Sequence, residues 1–183
     1  MNKEELRKEM LSSLKNASCE NDFVIVQKIQ ELPEYKAADC VFVYVGTGHE
    51  IKTDTLIDNM INAGKTVCVP LCFGKGEMSA KQIRSRNELD VGRYGILEPS
   101  YGAPDIREED ISLVVVPGVA FGRDFSRLGR GGGYYDRFLE KTKNAVFVAP
   151  CRKENLFDTV PCEEHDKAVD VIVTEKKVLR KVR

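Results

Sequence analysis

An apolar, β-branched run from Cys40 to Val45 ends at Gly46-Thr-Gly48, and a helix-compatible stretch from Thr53 to Ala63 follows. Thr66 to Val69 is then a second apolar run. Two such strands joined through a helix can share a sheet only as parallel neighbours with a right-handed crossover. Runs without polar alternation fit strands covered on both faces. Thr53 suits the helix N-cap and Gly64 the stop. Leu113–Val116, 145–149 and Val171–Thr174 supply further apolar runs. The alternation predicts an α/β layered domain with a mostly parallel sheet.

The rest of the chain fits around that unit. Leu6, Met10, Leu11 and Leu14 recur at three- and four-residue steps and predict a helix from Glu4 to Lys15. A second helix is expected from Asn21 to Leu32, stopped by Pro33. Gly74-Lys-Gly76 reads as a hairpin turn, with Glu77 to Ile83 as the return strand. Residues 87–111, with Pro99 and Pro104, are expected to wrap the surface. Lys176, Lys177, Arg180, Lys181 and Arg183 form a basic tail that reads as a solvated terminus. A chain of 183 residues suits a single domain spanning 1–183.

Charge and composition exclude several classes. The formal net charge of −1 gives no support to bulk nucleic-acid binding. No apolar run approaches the roughly 18 residues of a membrane span. The charged N-terminus has no signal-peptide core, so a cytoplasmic location is expected, with no membrane partner. None of the six cysteines forms a CxxC pair, and Cys40 and Cys68 lie in strand-like runs as expected buried thiols. Two histidines give little to a histidine-rich zinc site.

The chemistry points to Arg127-Leu-Gly-Arg-Gly-Gly-Gly-Tyr-Tyr-Asp136. Glycines between a strand and a helix let a ligand approach the backbone, and the helix start offers free N–H groups and a positive dipole end. That combination suits an anion, most simply a phosphate, with Arg127 and Arg130 as forked donors. Asp136 could hold magnesium, or serve only the helix dipole. A glycine cluster also marks a loop with no ligand. The segment is neither a Walker loop nor a dinucleotide fingerprint. Lys3 and Arg7 share one side of the first helix, either as a binding pair or as a solvated edge. Glu50 follows a strand and by itself reads as a surface acid.

Pro117-Gly-Val-Ala-Phe121 followed by the glycine-rich string closely resembles the signature of the 5-formyltetrahydrofolate cyclo-ligase family, also called 5,10-methenyltetrahydrofolate synthetases. Lys3-Glu-Glu-Leu-Arg7, Glu50-Ile-Lys-Thr53 and Gly95-Ile-Leu-Glu-Pro99 extend the resemblance. Val160-Pro161, His165-Asp166, Val169-Asp170 and Thr174-Glu175 extend it toward the C-terminus. Two departures stand out. Gly122 takes the place of a family aspartate, with Asp124 nearby, and Phe125 that of a glycine. Lys153-Glu-Asn155 stands where a glutamine is common.

The resemblance implies a three-layer Rossmann-like domain, flanked by helices, that uses ATP and Mg2+ to close a ring in a small-molecule folate substrate. It implies nucleotide contacts from Lys3, Arg7, Leu128, Gly129, Arg130, Gly131, Gly132, Gly133, Tyr134 and Tyr135. Arg127, Arg130 and Tyr134 would act at the reacting groups. Val45 and Glu50 would meet the folate, and Asp136 with Asp170 the metal. Of the tyrosines, Tyr134 is the better ligand candidate, since Tyr135, Phe138 and Leu139 share a packing face. A monomer is expected. Two readings compete: a phosphate-binding isomerase or transferase on a similar scaffold with Glu50 as base or nucleophile, and a sensor that binds without turnover.

Overall fold

The computed structural model describes residues 1–182; Arg183, the end of the expected basic tail, lies outside the described residues. Helix α1 (Lys3–Leu14) starts one position before the expected Glu4 because Asn2 caps it. The Asn2 side chain accepts from the Glu5 N–H, and the Glu5 carboxylate accepts from the Asn2 N–H. That reciprocal pair satisfies two donors at the helix end. Helix α2 (Asp22–Glu31) ends ahead of Pro33, but Pro33 then opens a short helix, α3 (Pro33–Ala37). Proline has no N–H to lose in a first turn, so the residue that stops one helix starts the next.

Strand β1 (Cys40–Val43), helix α4 (Asp54–Asn62) and strand β2 (Thr66–Phe73) form the expected unit, with Val41 opposite Val67 in parallel. β2 continues past Val69 because it pairs antiparallel with β3 (Glu77–Ile83) across the Gly74–Gly76 turn. Residues 87–111 do more than wrap the surface. They build a hairpin of β4 (Leu89–Val91) and β5 (Leu97–Pro99) and an edge strand, β6 (Asp105–Ile106), on β3. Next come β7 (Leu113–Val115), β8 (Ala120–Gly122), β9 (Arg127–Leu128) and helix α5 (Tyr134–Lys141). β10 (Val146–Pro150), β11 (Leu156–Phe157), β12 (Val171–Val173) and β13 (Val178–Arg180) complete the chain. The tail is therefore not simply solvated: β13 pairs antiparallel with β12, and Arg180 donates to Glu34 at 2.9 Å.

The main sheet has eight strands in the order β13-β12-β10-β7-β1-β2-β3-β6. The five strands from β12 to β2 are parallel, and the antiparallel partners lie at its edges. Alternation along β7 sends side chains to both faces. Leu113 and Val115 share a core with Ile29 of α2 and Ile57 and Met60 of α4. Val114 and Val116 share another with Phe138 and Leu139 of α5. Helices thus cover both faces of a mostly parallel sheet, the three-layer α/β arrangement expected. From β1 the chain moves one way to β2, then returns to β7 and proceeds the other way to β10 and β12. This reversal between β1 and β7 opens a crevice at their carboxyl ends. Leu6, Met10 and Leu14 pack α1 on Val119, Ala120, Leu128 and Val160, beside that crevice.

Candidate active site

Two loops leave the reversal point. The first, from β1 to α4, carries Glu50. The Tyr44 hydroxyl donates to the Ile51 carbonyl at 2.9 Å, and the Thr53 hydroxyl donates to the Tyr44 carbonyl at 2.6 Å. Thr53 sits at the N-cap position as expected, yet its side chain braces this loop instead of bonding the helix. The Thr47 N–H and hydroxyl donate to Glu50 Oε2 at 2.9 and 3.2 Å, and Glu50 Oε1 faces Arg130 Nε at 3.3 Å. Glu50 is therefore an aimed, largely covered carboxylate, 18% exposed, and not a free surface acid.

The second loop is the glycine-rich one. Gly131 has φ 102°, and a Cβ there would come 3.3 Å from the Arg7 guanidinium carbon. Gly133, at φ 69°, is the left-handed N-cap of α5. Both backbone shapes favour glycine. Arg7 Nε donates to the Gly129 carbonyl at 2.9 Å, so α1 supplies a cation against bare loop backbone. The first N–H groups of α5 have no intrahelical acceptor, which leaves them for a ligand.

Arg127 behaves differently from a free phosphate donor. Its side chain is 4% exposed and donates to Asp136 Oδ1 at 2.8 Å and to the Pro117 carbonyl at 3.3 Å. The Lys167 N–H also donates to Asp136 Oδ1, at 2.9 Å. Among the described residues, Arg127 Nε is buried without a hydrogen-bond partner. The pair thus fixes the first turn of α5 against β9.

A third segment, preceding β12, completes the charged end. Lys3 Nζ lies 2.6 Å from Asp166 and 3.2 Å from Glu163. Burial alone would lower the Lys3 pKa, but its bonds to both carboxylates win and raise it. Burial alone would raise that of Asp166, but the Lys3 bond and the Glu163 N–H hold it below the usual value. Possible ligand atoms of Glu163, His165 and Asp166 lie within 4.8 Å of one another.

These loops enclose one cavity of about 600 Å³. Its wall combines the cations Lys3, Arg7 and Arg130 and the bare backbone of Gly129 and Gly131–Gly133 with Val45, Met78, Ile96 and Leu97, and Glu50 meets Arg130 within it. Both Tyr134 and Tyr135 line it, and Tyr135 also packs against the cores on both faces of the sheet, as its shared face with Phe138 and Leu139 predicts. Tyr135 packs edge-on to Phe42, and burial pushes its phenol well above the usual pKa, with Glu50 adding to the effect. The Tyr134 ring covers Gly132, where a Cβ would fall 2.7 Å away.

Two expected residues are not on the cavity wall. Leu128 is fully buried against α1 and could offer a ligand only backbone. Asp170 precedes β12 and accepts from the Phe147 N–H at 2.8 Å, at the start of β10. It therefore lies at the amino ends of the parallel strands, whereas the cavity opens at their carboxyl ends. The pairing of Asp170 with Asp136 around one metal is corrected accordingly.

The residues present fit a nucleotide with a hard cation. Bare glycine backbone beside Arg7 and Arg130, next to a helix N-terminus, matches a polyphosphate. Asp136, Glu163 and Asp166 are oxygen donors of the type magnesium takes.

Residues 1–175 match the family described as the 5-formyltetrahydrofolate cyclo-ligase family. The chain belongs to the 5-formyltetrahydrofolate cyclo-ligase family. A probable cyclo-ligase of Schizosaccharomyces pombe is 34% identical, covering 86% of this chain and 85% of that protein. The Mus musculus 5-formyltetrahydrofolate cyclo-ligase is 28% identical, covering 93% and 92%. The solved 5,10-methenyltetrahydrofolate synthetase of Aquifex aeolicus superposes with a TM-score of 0.89 at 34% identity, covering 100% of this chain and 95% of that one.

Within this cyclo-ligase fold, the departures at Gly122 and Phe125 gain a physical account. Phe125 takes φ 69°, a backbone shape glycine adopts without strain. Asp124 accepts from the Ser126 N–H at 3.1 Å and the Thr159 hydroxyl at 2.6 Å, and is not on the cavity wall. It braces a turn. Apart from the His165-Asp166 match, nothing local in the sequence marks Glu163 and Asp166 as site residues, because their partner Lys3 lies 160 or more positions away.

Proposed function

We propose that this enzyme converts 5-formyltetrahydrofolate to 5,10-methenyltetrahydrofolate at the expense of ATP, with magnesium, releasing ADP and phosphate. The observation that carries this reading is a single cavity whose wall combines cations and bare glycine backbone with apolar side chains and the Glu50 carboxylate. A phosphate donor and a folate can meet there without either leaving the site.

The formyl group is an amide, so its oxygen leaves poorly. Transfer of the terminal phosphoryl group of ATP to that oxygen makes it a phosphate ester. The nitrogen at position ten then attacks the formyl carbon and gives up its proton, the carbon–oxygen bond breaks, and the oxygen departs with phosphate. Such chemistry depends on positioning and charge stabilisation more than on acid–base groups. Gly129 and Gly131–Gly133 offer backbone donors, and Lys3, Arg7 and Arg130 offer charge. Bound magnesium would neutralise phosphate oxygens, with Asp136, Asp166 and Glu163 as its candidate holders. Arg127 orients Asp136. The Glu50 carboxylate can accept two hydrogen bonds from a pterin amino-amide edge, with Val45 and Tyr135 as its walls. Tyr134 covers the loop at the junction. A cytoplasmic, monomeric enzyme is part of this reading; no described helix is long and apolar enough to cross a membrane.

The test is isotopic. With heavy oxygen in the formyl group, the label should appear in released phosphate. Label retained in the folate or lost to water would overturn activation of the formyl oxygen.

A further inference from the structure

Arg152 lies just past β10, on the cavity wall, and is 6% exposed. Its Nε and Nη2 each donate to Asp22 at 2.7 Å, a two-pronged pair with the first residue of α2. Asp22 is itself 8% exposed and sits where a helix N-terminus favours an anion. The remaining arm, Nη1, donates to the His49 carbonyl at 2.9 Å. Nη2 also meets Cys19 Sγ at 3.5 Å. Every nitrogen of the guanidinium is thus engaged by protein.

The His49 bond matters because of what His49 precedes. Residues 47–50 are otherwise tied mainly to themselves. Thr47 holds Glu50, the Glu50 N–H donates to the Thr47 carbonyl, and Lys52 reaches back to the Gly46 and Gly48 carbonyls. Among the described residues, two polar contacts connect this turn to other elements. One is the ion pair of Glu50 with Arg130, whose side chain is 54% exposed. The other is the buried Arg152–His49 bond. An exposed, flexible pair positions weakly, whereas a guanidinium locked by a two-pronged carboxylate positions strongly.

We propose that Arg152, clamped by Asp22, is a positioning residue for folate: it fixes the turn that aims Glu50. This rests on the proposed role of Glu50 in folate binding. Arg152 acts through the His49 carbonyl and touches none of the glycine-rich loop, so its loss should fall chiefly on folate recognition.

The test is steady-state kinetics of the full chain with 5-formyltetrahydrofolate and ATP varied separately, for Arg152→Lys, Asp22→Asn and Glu50→Gln. Lysine keeps the charge opposite Asp22 but lacks the fork that serves Asp22 and His49 together. Loss of one charge-assisted bond at a positioned loop predicts a folate KM raised about tenfold in Arg152→Lys. The ATP KM should stay within about twofold, and Asp22→Asn should shift the folate KM in the same direction. A structural role alone would lower the melting temperature and leave the folded variant's KM values unchanged. A folded Arg152→Lys with normal folate KM, beside Glu50→Gln with a raised one, would overturn the positioning role. Normal folate KM in Glu50→Gln would overturn the Glu50 reading and this inference with it. If Arg152→Lys does not fold, Asp22→Asn decides by the same KM criterion.

Discussion

Removing Asp136 should cost stability even with no metal or nucleotide present. Arg127 is 4% exposed at its side chain, and Asp136 is the carboxylate that neutralises it. Asp136→Ala leaves a buried guanidinium with the Pro117 carbonyl at 3.3 Å as its remaining acceptor and one nitrogen, Nε, already unpartnered. Breaking a buried pair from one side costs about 3–5 kcal/mol, and the 17% exposure of Asp136 places this case at the low end, about 3 kcal/mol. For a chain of this size each kcal/mol lowers the melting temperature by about 2–4 °C, so a drop of about 6–12 °C is expected. Asp136→Asn keeps an oxygen acceptor toward Arg127 and the Lys167 N–H, so it should lose about half as much. Both variants should lose most turnover. Calorimetric melts in chelator, paired with turnover against magnesium concentration, separate the two effects. An Asp136→Ala melt within about 2 °C of the parent would refute the buried-pair argument.

Three further outcomes follow from the geometry. Gly131→Ala forces a side chain onto φ 102° and against Arg7, and should raise the ATP KM about tenfold with the folate KM little changed, read from initial rates. Lys3→Ala leaves Asp166 and Glu163 without their cation and should weaken nucleotide binding several-fold by calorimetric titration. The Arg180 hydrogen bond holds the Glu34 carboxyl below its usual value, against a smaller opposing effect of burial. A lowered folded-state pKa contributes stability above the unfolded value of about 4.3 and loses it as pH falls through the folded value. Arg180→Ala should therefore cost about 0.5 kcal/mol near neutral pH and almost nothing at about pH 2, by urea melts.

The centre of the fold was legible because its signals are local. Cys40–Val43, the helix before Gly64, and Leu113–Val115 announce themselves by short-range pattern. The edges were less so: β6 is a short strand held by β3 well upstream, and although β13 turns straight back onto β12, nothing in Val178–Arg180 separates a paired edge from a charged tail. The glycine-rich loop, Lys3, Arg7 and Glu50 line one cavity, a grouping that the residues alone left open and that the family resemblance implied. Asp170 does not: it precedes β12, and whether the amino end of that strand faces the site is fixed only by the strand's direction in the sheet. Arg152 with Asp22 and Lys3 with Asp166 were invisible for a related reason: complementary charges 130 and 163 positions apart have no pattern to read.

The most direct measurement is turnover of 5-formyltetrahydrofolate, followed by near-ultraviolet absorbance of the methenyl product with ATP and magnesium each present or omitted. The account predicts product only when both are present, with ADP formed in equal amount. Folded protein that gives no product with both, or gives product without ATP, would contradict it.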